Sequence, residues 1–197
     1  MATSFTSPPA LAAELAHPHL VLVGLPGSGK STVGARLARQ LGRTFLDFDV
    51  EIARRQGMTI AEIFAQRGEA SFRELEHALT REMSALEGMV LAPGGGWVVR
   101  PETVALLCPP AQLIYLRLSP GAAIRRMGKR IEARPLLQRS NPRGELELLL
   151  AARRSAYERA DIVIDVESIY PQRVTELLIA QLGVRSANMR GQDTAGG

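Results

Sequence analysis

The chain has 197 residues, enough for one domain with its own core, and its 46% hydrophobic and 22% charged residues match a globular protein in water. No apolar run approaches the roughly 20 residues that a membrane-crossing helix needs, so no membrane partner is expected. Net charge is +4 and the pI is near 9.8, but the arginines are spread among carboxylates and form no dense basic tract, so nucleic acid is not an expected partner either.

Residues 1–18 mix Ser, Thr, Pro and Ala and lack the basic start and apolar block of a secretory signal; a flexible tail is expected there. The domain is expected over residues 19–185. The small, polar, glycine-rich stretch 186–197 is expected to be a second flexible tail.

Leu20 to Val23 reads as a first buried strand, and Ser31 to Leu41 as a helix. Between them Gly24-Leu-Pro-Gly27-Ser28-Gly29-Lys30-Ser31-Thr32 satisfies G-x-x-x-x-G-K-[ST] in its required strand-to-helix context. Such glycines let the backbone turn its N–H groups onto phosphate oxygens, and the following helix adds its positive end. Gly27, Ser28, Gly29, Lys30, Ser31 and Thr32 are therefore nucleotide-binding candidates. Lys30 is expected to reach the β- and γ-phosphates and the Ser31 hydroxyl to help hold Mg²⁺. A P-loop alone leaves the class open, but no Asn-Lys-x-Asp guanine motif follows, and the chain is too short for most motor ATPases. A small kinase is the remaining class.

Phe45 to Phe48 reads as the second strand, running into Asp49. Alternation along an extended strand would put the Asp47 and Asp49 carboxylates on one side. Asp47 then suits a Mg²⁺-bound water and Asp49 the proton of an acceptor hydroxyl, while the plainer reading is an acidic strand end in which Asp49 caps the next helix. Gly68 to Leu86 reads as helix, with Arg73 and Glu76 one turn apart on one face. They form either an ordinary surface ion pair or a guanidinium fork for a substrate carboxylate with its positioning acid. Met89 to Ala92 is the third strand and runs through Pro93 into Gly94-Gly95-Gly96. Here the backbone is bare for close approach of a ligand, or simply turns. Trp97, just after, is expected in the core.

Cys108, the single cysteine, sits before Pro109 and Pro110 without a partner, as suits a reducing cytoplasm. Leu113 to Leu118 and Ile162 to Val166 complete five strands, separated by helical patterns over Pro120 to Met127, Glu145 to Ala160 and Pro171 to Leu182. The alternation predicts an α/β fold, a five-stranded parallel sheet sandwiched by helices, with functional loops at the carboxyl ends of the strands. Arg125, Arg126, Lys129, Arg130 and Arg134 make the densest basic cluster, either a solvated helix end or a phosphate contact.

Taken together, the P-loop, Asp47-x-Asp49, Ile63-Phe64 with Gly68-Glu69, Phe72-Arg73-x-x-Glu76, Gly94-Gly95-Gly96 and Arg134-Pro135-Leu136-Leu137 resemble the shikimate kinases over about Leu20 to Leu182. The resemblance implies a P-loop fold of the nucleoside-monophosphate-kinase type with a mobile lid at about 129–143. It also implies transfer of the γ-phosphate of ATP, with Mg²⁺, to the 3-hydroxyl of shikimate. On this resemblance Lys30, Asp49 and Arg134 are catalytic. Asp49, Arg73, Glu76, Gly94, Gly95, Gly96 and Arg153 bind the acceptor, with Arg153 a second carboxylate-binding arginine four residues before Tyr157. Arg126, Arg134 and Pro171 join the P-loop around the nucleotide, Arg126 and Pro171 at adenine, and Ser31 and Asp47 serve the metal. ATP and shikimate are the expected partners and a cytoplasmic monomer the expected form. Ala92-Pro93 and Trp97 depart from the usual residues at the edge of the acceptor pocket. The alternatives are a gluconate-kinase-like enzyme or a ligand sensor built on the same domain.

Overall fold

Strand and helix alternate along the chain: β1 (Leu20–Val23), α1 (Lys30–Leu41), β2 (Phe45–Asp47), α2 (Phe48–Gln56), α3 (Ile60–Met83) and β3 (Val90–Ala92). A 3₁₀ turn (Trp97–Val99), α4 (Pro101–Val104), β4 (Gln112–Arg117), α5 (Pro120–Met127), α6 (Pro142–Tyr157), β5 (Ile162–Asp165) and α7 (Pro171–Gln192) follow. The computed structural model describes residues 18–128 and 141–192, with side chains as far as residue 183.

The five strands form one sheet in the order β2-β3-β1-β4-β5, and each described pairing is parallel. All of β1 is buried, as a central parallel strand covered by helices on both faces requires, whereas the edge strand β5 alternates buried and exposed. Leu20 pairs with Val90 on one side and Gln112 on the other, which fixes β1 between β3 and β4. The loops leaving β1 and β3 are thereby neighbours.

Helix ends follow local chemistry. Asp47 caps α2, its carboxylate accepting from the Val50 N–H at 3.3 Å. Thr59 and Glu62 close a reciprocal capping box at the start of α3, and Ser119 and Asn141 cap α5 and α6. α1 differs: it starts from Gly29, in the left-handed region at φ 95°, with no side-chain cap. Its first N–H groups are thus left without a side-chain partner of their own. Buried His19 ties the end of α3 to β3: its Nδ1 accepts from the Met89 amide at 3.1 Å, so the proton sits on Nε2, which donates to the Met83 carbonyl at 3.0 Å.

Four expectations change. β2 stops at Asp47, so Asp49 does not alternate along a strand but stands in the first turn of α2. α3 starts at Ile60 instead of Gly68 and passes through Gly68 with a non-helical kink. α7 continues to Gln192 instead of stopping at Leu182, taking up part of the expected second tail. Residues 141–143, expected at the end of the lid, cap and open α6. The rest of that segment, with Arg134, lies outside the described residues.

Candidate active site

The loop between β1 and α1 is built by three glycines in positive φ, Gly24 at 144°, Gly27 at 83° and Gly29 at 95°. Space is short as well: a Cβ on Gly24 would lie 2.7 Å from the Leu116 carbonyl, and one on Gly27 would lie 3.0 Å from the Ala123 carbonyl. The loop therefore packs against β4 and α5 while facing a cleft of about 700 Å³. Lys30 Nζ donates to the Gly24 and Leu25 carbonyls at 3.0 and 3.3 Å, so the ammonium is held at the loop it serves. Ser28 is buried. Its N–H is used within the loop, donating to the Leu25 carbonyl at 3.1 Å, and its hydroxyl makes no hydrogen bond among the described residues.

Ser31 Oγ donates to Asp47 Oδ2 at 2.5 Å, where α1 begins and β2 ends. These are two hard oxygen donors beside the phosphate loop. Among the described residues no group of three or more His, Cys, Asp or Glu could hold a metal ion. The Ser31 and Asp47 pair suits an ion such as Mg²⁺, which takes one or two protein oxygens and fills its octahedron with phosphate and water.

The cleft has two ends. Arg126, Met127, Ile169, Tyr170 and Pro171 line one; Asp47, Asp49, Ala92, Pro93 and Gly95 line the other, with Gly27 and Gly29 to Thr32 between them. Arg126 is anchored by donating to the Val166 carbonyl and, at 3.5 Å, to that of Ile169. The expected adenine contacts Arg126 and Pro171 thus share one end, and both aspartates reach the other end by way of a helix cap.

Behind Gly95 lies a tightly packed polar layer. Arg73 donates to Glu76 Oε2 at 2.5 Å and to Glu69 Oε1 at 2.7 Å, with only 13% of its side chain exposed and 2% of that of Glu76. An ordinary surface pair is ruled out by that burial. Burial pushes the Glu76 carboxyl above the usual range, with the nearby Asp49 adding to the effect and Arg73 opposing it. Burial also works against the charge on Arg73, but Glu76 and Glu69 outweigh it and raise its pKa.

Gly94 to Gly96 complete this layer. A Cβ on Gly94 would stand 2.5 Å from Glu76 Oε1 and 3.4 Å from Asp49 Oδ1; one on Gly96 would strike the Arg73 guanidinium. None of the three has positive φ. They are bare because carboxylate and guanidinium groups of the protein itself lie where side chains would have to go. A Cβ on Gly95 would meet Arg153 Nη1 and the Gly24 carbonyl, both at 3.1 Å. Arg153 is buried on α6, and Tyr157 one turn on donates to the Gly95 carbonyl at 2.7 Å and stacks on Tyr115 with centroids 4.8 Å apart. Burial pushes the Tyr157 hydroxyl up to about 12, so it stays a donor.

The family model for shikimate kinase matches residues 26–182. The chain belongs to the shikimate kinase family. Shikimate kinases are ATP-dependent kinases, and so is this chain. It is 41% identical to a shikimate kinase of Cupriavidus pinatubonensis over 170 residues, covering 86% of this chain and 88% of that one. It is 40% identical to one from Thiobacillus denitrificans over 179 residues, covering 90% and 97%. The solved shikimate kinase of Acinetobacter baumannii in complex with shikimate superposes with a TM-score of 0.82 at 34% identity, covering 90% of this chain and 98% of that one. A gluconokinase from Sinorhizobium meliloti, 18% identical with a TM-score of 0.60 and coverage of 89% and 97%, shares the fold.

Against this family frame, Gly27, Gly29, Lys30, Ser31, Thr32, Asp47, Asp49, Gly95, Arg126 and Pro171 line one cleft. Arg73, Glu76, Gly94, Gly96 and Arg153 stand behind it, and Arg134 falls outside the described residues. Pro93 does line the acceptor end, but Trp97 does not reach it: it is buried in the core and donates to Thr80 Oγ1 at 2.9 Å. The Tyr157 bond to Gly95 and the Thr80 bond to Trp97 escaped sequence reasoning. The only signal for Tyr157 was its position one helical turn after Arg153.

Proposed function

We propose that this chain transfers the γ-phosphoryl group of ATP to the 3-hydroxyl of shikimate, with ATP lying from Arg126 and Pro171 to the P-loop and shikimate at Asp49 and Gly95. The observation that carries this reading is that Asp49 and Gly95 line the same cleft as Lys30, with no free room for a side chain between Gly95 and the Gly24 carbonyl.

Shikimate is a small hydroxylated ring acid with little apolar surface, so its recognition has to come from charge-assisted hydrogen bonds. Arg73 and Arg153 supply two buried guanidinium groups flanking the glycine turn. Glu76 and Glu69 fix the plane of Arg73 before the acceptor arrives, so little side-chain entropy is left to lose on binding. Asp49 orients the acceptor hydroxyl and takes its proton as the oxygen attacks in line. Lys30 turns from the Gly24 and Leu25 carbonyls to the phosphate oxygens and offsets the charge that spreads over them. Ser31 and Asp47 would hold Mg²⁺, which when bound would offset phosphate charge. Arg134, which falls outside the described residues, is proposed to contact the transferring phosphate. No described helix is long and apolar enough to cross a membrane, and a cytoplasmic monomer is the proposed form.

Steady-state ADP release from the purified protein with Mg-ATP tests this against shikimate, gluconate and no acceptor. The expected result is turnover with shikimate that vanishes in Lys30→Met; turnover with gluconate alone would replace the acceptor. Asp49→Asn should lower kcat by about 10²- to 10⁴-fold, and an unchanged kcat would remove Asp49 from proton transfer.

A further inference from the structure

Trp97 and Thr80 are fully buried, and neither lines the cleft. They nevertheless close a circuit around it. The Trp97 backbone N–H donates to the Gly94 carbonyl at 3.0 Å, its indole N–H donates to Thr80 Oγ1 at 2.9 Å, and the Thr80 hydroxyl donates to the Glu76 carbonyl at 2.7 Å. The Glu76 side chain then returns to Gly94, where its Oε1 lies 2.5 Å from the place a Cβ would take. The direction of each bond is fixed, because a hydroxyl has one proton to give and the indole can only donate.

This circuit joins the two elements whose separation shapes the acceptor side. On α3, Arg73 and Glu76 lie two turns and one turn before Thr80; on the loop after β3, Gly94 and Gly96 lie against Glu76 and Arg73. No member of it lines the nucleotide end. We propose that the Trp97–Thr80 hydrogen bond is a positioning device for acceptor recognition, setting the distance between the glycine turn and the face of α3 that carries Arg73 and Glu76. Its loss weakens acceptor binding and leaves nucleotide binding alone. The inference rests on the reading of shikimate as acceptor, and Trp97 and Thr80 are positioning residues that touch no substrate.

Four variants separate positioning from stability: Thr80→Val, Trp97→Phe, the double variant, and Thr80→Ser, which keeps the hydroxyl. Thr80→Val leaves a buried indole N–H unpaired, whereas the double variant removes both polar partners and leaves no donor unsatisfied, its remaining cost to stability being the space left by the smaller ring, which Trp97→Phe alone shares. Positioning predicts that the double variant still shows a KM for shikimate raised on the order of tenfold, with the KM for ATP within about twofold of the parent. Thr80→Ser, which keeps the hydroxyl, should keep the parental KM for both substrates. A role in stability alone predicts instead that the double variant recovers the parental KM for shikimate, and that result would overturn the proposal.

Amide hydrogen exchange of the ligand-free proteins gives a second readout independent of the acceptor. Faster exchange in the double variant confined to residues 69–80 and 94–99, with α1 unchanged, supports positioning; a uniform change, or none, overturns it. If the parent shows no shikimate-dependent turnover, the acceptor reading fails, and the exchange comparison still decides whether the bond holds the two elements in place.

Discussion

At Gly94 a Cβ would stand 2.5 Å from a buried carboxylate oxygen that Arg73 holds in place through the other oxygen, so neither side can give way cheaply. At Gly95 the nearest atoms are 3.1 Å away, and a shift of a few tenths of an ångström suffices. Gly94→Ala is therefore expected to lower kcat/KM for shikimate by at least about 10²-fold, and Gly95→Ala by distinctly less, in steady-state kinetics on the two purified variants. Both tolerances are set by neighbours distant in sequence, which is why a run of glycines showed that the backbone was bare but not what filled the room. Asp47 and Asp49 were legible as a pair, with Asp49 alone misplaced in conformation. The Asp47 side chain starts a helix where apolar Phe45-Leu46 and Phe48 suggest a strand that continues, and the two carboxylates reach the cleft all the same.

The kink in α3 belongs to the scale of the element. Gly68 sits at φ 77° and ψ 170°, a region reached almost only by glycine, and a Cβ there would find open space, with nothing within 4 Å. Gly68→Ala should thus cost about 1–3 kcal/mol through conformation alone, seen as a lower midpoint in urea unfolding with an unchanged slope. A helix that begins at Gly68 is the natural reading of a glycine before a helical pattern. Yet Thr59-Ile60-Ala61-Glu62 carries the capping-box signature of the true start, and α3 packs on α2. The central strands were legible because parallel strands buried on both faces read as short apolar runs, and the ends of several strands shifted by a residue or two. Nothing in the apolar pattern marks the 3₁₀ turn or α4, whose short lengths leave no period to detect.

For the whole molecule, acid stability has an identifiable contributor. Hydrogen bonds from Arg54 and Arg55 hold the Glu51 carboxyl down to about 2 against an ordinary 4.5, and Arg55 also reaches Glu82 at 2.8 Å, tying α2 to α3. A lowered folded-state value means that the unfolded chain binds the proton first. The contribution is therefore whole above about 4.5 and is lost as pH falls toward 2. The melting temperature of Glu51→Gln should lie below that of the parent at pH 6, with the gap closing by pH 2.5. The order of the sheet, by contrast, cannot be read from local patterns; it emerges from right-handed crossovers, which bring β1 and β3 side by side though α1, β2, α2 and α3 separate them in the chain.

That adjacency has a practical meaning. The nucleotide loop and the acceptor loop leave neighbouring strands, spaced as any two strands of a sheet by about 4.8 Å, and not even a methyl group would fit freely between Gly95 and the Gly24 carbonyl. Two separate ligands each lose translational freedom to sit there. A single tethered inhibitor, an adenosine polyphosphate joined through its terminal phosphate to a hydroxylated cyclohexene acid, would lose it once and would need a bridge no longer than the phosphoryl group itself.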